Sequence, residues 1–210
     1  MRSAIKLGAA FVGVVLLALT FTPHVRADEV ADAQTFVRTL ADKAISQLTS
    51  PSMSQGEREK AFRVLLKEHF DVPAIGRSAL GRYWRVATPE EQKEYLGLFE
   101  DLIVATYAQR FRDYGGENLD ILGAAKTAGE EGNAVLVQSQ ISRNVAKPIR
   151  IDWRVSQPST DPNIVDVVIE GVSMVQTQRS EFTSVIVRNG NKVAGLIDEL
   201  RTKVKTLAPQ

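Results

Sequence analysis

The spacing of apolar residues changes twice along the chain, from helical to alternating and back to helical. Val30, Phe36, Val37, Leu40, Ala44, Ile45 and Leu48 recur at helical spacing and predict an amphipathic helix that Pro51 ends. Ser54-x-x-Glu57 is a capping-box sequence ahead of a second helix carrying Phe62, Leu65, Leu66 and Phe70. Asp71 and Pro73 start a short helical turn, and Gly81 stops it. Thr88-Pro89-Glu90-Glu91 is the clearest helix start in the chain, with Thr88 as cap, proline at the first helical position and Glu91 completing the box. The helix it opens is expected to run to about Tyr114 and stop at Gly115-Gly116. Its residues Leu96, Leu98, Phe99, Leu102, Ile103, Tyr107 and Phe111 cover more than one face. Such a helix is packed on two sides, for instance between a sheet and other helices.

After Gly116 the period becomes two. Leu119 and Ile121 flank Asp120, and Val135, Val137, Ser139 and Ile141 share a face. Ile149, Ile151, Trp153 and Val155 alternate with Arg150, Asp152 and Arg154. Val165, Val167 and Ile169 alternate with Asp166, Val168 and Glu170. Turn residues over 129–133, 144–148 and 158–163 separate these runs, and links this short require antiparallel pairing. One sheet face is polar and the other strongly apolar. Helical spacing returns at Phe182, Val185 and Ile186, ended by Asn189-Gly190, and again at Val193, Leu196, Ile197, Leu200, Val204 and Leu207. The fold class is α+β: N-terminal helices, a four-stranded antiparallel sheet, C-terminal helices.

The start of the chain stands apart. Arg2 and Lys6 precede an uncharged, mostly apolar run over 7–21, and Val25-Arg26-Ala27 offers small residues where a signal peptidase reads. A membrane-spanning helix needs about 20 apolar residues, and this run is shorter. The expectation is a signal peptide over 1–27, cleaved after Ala27, ahead of one domain over 28–210 exported to a periplasm. The leader holds three basic residues and no acidic one, so the remainder is slightly acidic although the full chain carries a net charge of +1. That balance argues against a nucleic-acid binder, which needs a basic excess. The absence of cysteine excludes disulfides, thiolate metal sites and thiol catalysis.

Candidate chemistry is sparse. His69 is the one histidine of 28–210, so no ordinary zinc or copper constellation can be built, and no metal or cofactor is expected. Gly76-x-Ser78 and Gly171-x-Ser173 lack the second glycine of a nucleophile elbow. Glu90, Glu91, Glu94, Glu100 and Asp101 read as the solvated face of a long helix, and Glu130-Glu131 as part of a turn. Arg77, Arg82, Arg85, Arg110 and Arg112 could meet an anionic ligand or lipid headgroup; a solvated surface with local ion pairs is the plainer reading. Tyr83-Trp84 reads as core or pocket wall. No catalytic residue is assigned.

Two stretches add something more specific. Residues 80–92, Leu-Gly-Arg-Tyr-Trp-Arg-Val-Ala-Thr-Pro-Glu-Glu-Gln, followed by Phe99 and Thr106-Tyr107-Ala108, resemble the MlaC family. So do residues 166–174, Asp-Val-Val-Ile-Glu-Gly-Val-Ser-Met, followed by Arg179, Phe182 and a helix reaching Leu200. The hopanoid-associated HpnM proteins look similar over the same stretches. The resemblance implies a periplasmic lipid carrier, of the kind also called toluene-tolerance or ABC-transport auxiliary components. In it, a sheet and helices enclose an apolar cavity for phospholipid (or hopanoid-type) tails. The implied partners are an inner-membrane ABC transporter complex with an MCE-domain subunit and an outer-membrane lipoprotein complex.

Taken with the alternation, the expected cavity wall is Phe99, Ile103 and Tyr107 on the long helix, and Val137, Ile151, Trp153, Val167 and Ile169 on the strands. Phe182, Ile186 and Leu196 on the last helices complete it, with Val172 and Met174 from the second matching stretch. Strict alternation puts Val168, Val172 and Met174 opposite Val167 and Ile169 unless a bulge near Gly171 switches them. Two other classes fit an α+β domain: an enzyme using Asp152 as a base, and an interaction module without ligand. Asp152 alternates away from Trp153, which weighs against the enzyme.

Overall fold

The computed structural model describes residues 25–127, 134–143, 146–157 and 159–207. The expected leader before Val25 and the Glu130-Glu131 turn lie outside them. Helices α1 (Val25–Leu48), α2 (Gln55–His69), α3 (Val72–Leu80) and α4 (Pro89–Tyr107) come first. Strands β1 (Asn118–Thr127), β2 (Ala134–Arg143), β3 (Ala146–Ser156), β4 (Asn163–Ile169) and β5 (Val172–Ser173) follow, then α5 (Met174–Arg188) and α6 (Val193–Leu207). The sheet is antiparallel throughout in the order β1-β2-β3-β4-β5.

Both capping boxes form: Ser54 with Glu57 starts α2 and Thr88 with Glu91 starts α4. Three features differ from the sequence expectation. The sheet has five strands rather than four, because Val172 and Ser173 fold back on β4; two residues are too few to show a period. The turn between β4 and β5 is Glu170-Gly171, with φ of 49° and 81°, the pair of positive values a tight hairpin requires. Finally, α4 ends at Tyr107, and residues Ala108–Asp113 tighten into a 3-10 helix, a common way for a helix to end.

The apolar side chains divide into two cores. One lies among α2 to α6 and is centred on Tyr95, Phe99, Phe182, Ile186 and Leu196. The other lies between α1 and the sheet and contains Ala33, Val37 and Leu40 against Val135, Val137, Val155 and Ile164. Phe70 packs against both. It leaves helical geometry (φ −125°, ψ 135°) at the end of α2 and bridges Ile164 in parallel, while the Asp71 N–H donates to the Ile164 carbonyl at 3.0 Å. α4 packs against α6, α3 and α2 rather than against the sheet.

α3 and α4 approach closely at Gly76. A β-carbon there would sit 2.7 Å from Leu96 Cδ2 and 3.1 Å from Phe99 Cδ1. The buried Tyr95 hydroxyl donates to the Gly76 carbonyl at 2.8 Å, and burial raises its phenol pKa, so it remains a neutral donor. Across the bundle, Arg63 holds Glu100 at 2.6 Å and Asp101 at 2.8 Å, tying α2 to α4. Arg58 is fully buried without a carboxylate. Its guanidinium donates to the Leu48 carbonyl at the end of α1, to Met53 O at 3.2 Å and to Ser50 O at 3.4 Å. One side chain thus satisfies carbonyls that the α1–α2 turn would otherwise leave unpaired.

Replacing Arg58 with Ala should therefore destabilise the fold by about 3 kcal/mol, since buried acceptors lose their donor. Equilibrium urea denaturation of the two proteins measures this.

Candidate functional site

The hairpin registers set which side chains share the apolar sheet face. Val135 pairs with Val155, Val137 with Trp153, Ser139 with Ile151 and Ile141 with Ile149. Trp153 pairs with Val167 and Ile151 with Ile169. A register shift between Arg154 and Val155 leaves Val165 as the extra residue, so Ile164 rather than Val165 joins this face. Ile169 pairs with Val172, which puts Val172 on the same face by a hairpin turn, not by the bulge near Gly171 that alternation had called for.

The opposite face carries Asp120, Gln138, Gln140, Arg150, Asp152 and Arg154. Asp152, the possible base of an enzyme reading, is buried there and accepts from Arg150 Nε at 3.1 Å to each carboxylate oxygen. On the apolar face a polar pair is satisfied internally: Trp153 Nε1 donates to Ser139 Oγ at 3.0 Å, and Ser139 donates to the Ile151 carbonyl. The indole therefore presents only carbon surface to its surroundings.

This face is covered unevenly. α1 meets β1 and β2, and α2, α3 and α5 meet β4; among the described residues no helix packs extensively on β3. Val137 and Val155 are fully buried under α1, with Trp153 and Val167 packed at the edge of that core. Ile141, Ile149, Ile151 and Ile169 are half-buried and belong to neither core. Register makes them neighbours: Ile141 beside Ile149, Ile149 two residues from Ile151, Ile151 beside Ile169, and Ile169 beside Val172. Val172 ends this strip 55% exposed. A fully buried isoleucine contributes about 1.5–3 kcal/mol, so a strip of five incompletely covered apolar side chains leaves several kcal/mol of burial unrealised.

The expected wall residues thus fall into four groups. Ile151, Ile169 and Val172 lie on the uncovered strip, and Val137, Trp153 and Val167 on the same face under or beside α1. Phe99, Phe182, Ile186 and Leu196 are buried in the helical core, with Phe99 and Phe182 ring centroids 6.1 Å apart in an edge-on contact. Ile103, Tyr107 and Met174 are half-buried; Tyr107 has the Arg110 guanidinium 5.5 Å from its ring centre. Ile141 and Ile149 were not in the expected wall. Their alternation was visible, but their place beside Ile151 depends on the β2–β3 register.

Other sites offer less. A groove of about 490 Å³ opens between α5 and α6 over Phe182, Val185, Leu196 and Leu200, and its rim carries Glu181, Asp198, Glu199 and Lys203. No strand residue lines it, and its border is charged. His69 is half-buried between α2 and α1, with Lys43 Nζ 3.4 Å from its Nε2. Burial, then Lys43, lowers its pKa, so the neutral ring accepts from the lysine. Among the described residues no group of three or more His, Cys, Asp or Glu is placed to hold a metal ion.

Together the fold and this face define an α+β domain with an apolar sheet surface that, among the described residues, helices cover only in part. The MlaC protein family model matches residues 38–202, and the chain belongs to the MlaC family. It is 23% identical over 176 residues to the intermembrane phospholipid transport system binding protein MlaC of Haemophilus influenzae, covering 81% of this chain and 79% of that one. It is 20% identical over 139 residues to the toluene tolerance protein ttg2D of Pseudomonas putida, covering 66% and 63%. The fold matches the structure of a phospholipid-binding protein from Ralstonia solanacearum in complex with a phospholipid, with a TM-score of 0.71 and 26% identity over 85% of this chain and 99% of that one.

The uneven cover predicts an inverted mutational order in the purified protein. Ile151→Ala should cost about 1 kcal/mol, less than the roughly 2.5 kcal/mol of Val155→Ala, although it removes one more carbon. Urea denaturation of the two variants, purified by refolding from denaturant, measures both.

Proposed function

We propose that the protein is a periplasmic lipid carrier that holds phospholipid acyl chains against the uncovered sheet face and shuttles lipid between membranes. The observation that carries this reading is the strip of Ile141, Ile149, Ile151, Ile169 and Val172, an apolar surface outside both cores that, among the described residues, the helices cover only in part. The names and bound phospholipid of the relatives support it. In this reading the strip with Trp153 and Val167 forms one wall. Ile103, Tyr107 and Met174 are the half-buried helical candidates for the other, and Phe99, Phe182, Ile186 and Leu196 stiffen the helical layer behind it.

The physics of carriage asks little of side-chain chemistry. Exposing roughly 30 methylenes of a diacyl lipid to water costs about 25 kcal/mol. A cavity as apolar as the bilayer removes that cost without adding a deep well, so uptake and release both stay accessible. No bond is made or broken, and we assign no catalytic residue. The partners in this reading are an outer-membrane lipoprotein complex and an inner-membrane ABC transporter complex with an MCE-domain subunit. We place the leader at 1–27, cleaved after Ala27, and the carrier domain at 28–210. Among the described residues no helix is long and apolar enough to cross a membrane.

Native mass spectrometry of the mature protein tests the reading. The expected spectrum has a chain starting at Asp28 with an added mass of one diacyl phospholipid; a pentacyclic hopanoid mass would move the chain to the hopanoid branch. Val172→Glu should remove the lipid while leaving circular dichroism unchanged, because the side chain is exposed enough to carry a charge without disturbing a core. Full lipid occupancy in that variant would contradict the wall.

A further inference from the structure

The corner formed by α3 and the 3-10 turn Gly81–Arg85 carries charge of one sign only. Residues 72–89 contain Arg77, Arg82 and Arg85 and no aspartate, glutamate or lysine. All three are exposed, and none forms an ion pair among the described residues. Arg63, Arg112, Arg150, Arg188 and Arg201, by contrast, are each paired with a carboxylate. Glu91, just beyond the corner, is taken up by the Thr88 capping box.

Two of the guanidiniums are also held in place. Arg77 lies 5.2 Å from the ring centre of Trp84, and Arg82 lies 5.0 Å from that of Tyr83. Arg82 donates to the Tyr83 hydroxyl at 3.0 Å, which donates in turn to Asn191 Oδ1 at 3.3 Å. From α5, Arg179 reaches the same corner. Its Nε donates to the Ser78 carbonyl at 2.7 Å, and its stem closes on Gly81, whose β-carbon position lies 3.4 Å from Arg179 Cδ. Gly81 has φ of 58°, a left-handed conformation that glycine permits, and the arginine stem lies at contact distance across it. Beside them Val86 is 70% exposed. Stacked arginines lose little freedom on pairing, and arginine with aromatic and apolar neighbours is the composition of energetic centres in protein interfaces.

We infer that this corner is a docking surface for an acidic face of a protein partner, with Arg77, Arg82 and Arg85 pairing with its carboxylates around Val86. A lipid surface fits less well. Membrane-binding basic segments gather more charges on mobile side chains, and interfacial anchoring uses exposed aromatic rings. Here Tyr83 is buried, Trp84 is half-buried, and both serve as platforms for the arginines. The identity of the partner rests on the carrier reading: the lipoprotein or the MCE-domain subunit, met while lipid passes between them. The chemistry of the surface does not depend on that reading.

Biolayer interferometry of the mature protein against the purified MCE-domain subunit and the purified outer-membrane lipoprotein of the same organism tests this, at low and high salt. The wild type should bind at least one, more weakly as salt rises. The R77S/R82S/R85S variant should lose about 30-fold or more in affinity while keeping its circular dichroism and bound lipid. A charge-matched R38S/R188S/K203S variant should stay within about threefold, and R77K/R82K/R85K should fall between. Should the triple serine variant fail to fold, R85E alone carries the test, with the same direction of loss. The proposal is overturned if the arginine variants bind as wild type or if the control loses as much. It also fails if wild type binds neither protein, or if the arginines instead drive binding to vesicles containing anionic lipid or self-association on sizing. Absence of lipid from a protein that still docks through the arginines would refute the carrier reading and leave this surface standing.

Discussion

Pairing register is the constraint on which the rest of the structure depends. Backbone hydrogen bonds between β2, β3 and β4 fix Ile141, Ile149, Ile151 and Ile169 as neighbours on one face, and a one-residue slip would send them to the polar face with Arg150 and Asp152. The same ladder puts Val137, Val155 and Ile164 under α1. Part of the face is thereby closed by the chain's own helix and part is not. The helical bundle has a closed core of its own around Tyr95 and Phe99, so the uncovered isoleucines are not needed to build it.

That separation of cores fits the proposed role of a carrier whose apolar cargo comes and goes. The bundle is locked by Gly76 against α4, by the Tyr95 hydroxyl and by Arg63, none of which touches the strip. The sheet is anchored to the bundle through Phe70, through Asp71 on the Ile164 carbonyl, and through Asp166, which accepts from Ser173 at 2.7 Å and from the Val175 N–H at 3.2 Å where α5 begins. A scaffold stabilised at these points keeps its shape whether or not the strip is covered. In the proposed carrier reading, covering it with acyl chains would exchange one apolar surface for another and allow release into a membrane without a chemical step.

Much of the fold was legible because local chemistry agreed with tertiary structure. The Ser54 and Thr88 capping boxes, Asn189-Gly190 and the change of period after Gly116 all mark real boundaries. Alternation alone separated the polar and apolar sheet faces. It could not say which apolar positions a helix would cover, so Phe99, Phe182, Ile186 and Leu196 read the same as Ile151 and Ile169. Coverage is set by where α1 crosses the strands, and strand residues do not encode it. The side of Val172 depended on Glu170-Gly171 forming a tight turn, a conformation in which a non-glycine residue takes positive φ. Arg58 was invisible for a related reason: one arginine in a charged helix looks solvated until its carbonyl partners from the α1–α2 turn are in place.

The central claim is that acyl chains lie along the uncovered isoleucines. Methyl NMR of isoleucine-labelled protein loaded with a phospholipid spin-labelled in mid-chain tests it most directly. The account predicts strong paramagnetic broadening of the Ile141, Ile149, Ile151 and Ile169 methyls, with Ile186 and Ile197 in the helical core little affected. Broadening of the core methyls, with the strip methyls left sharp, would contradict it.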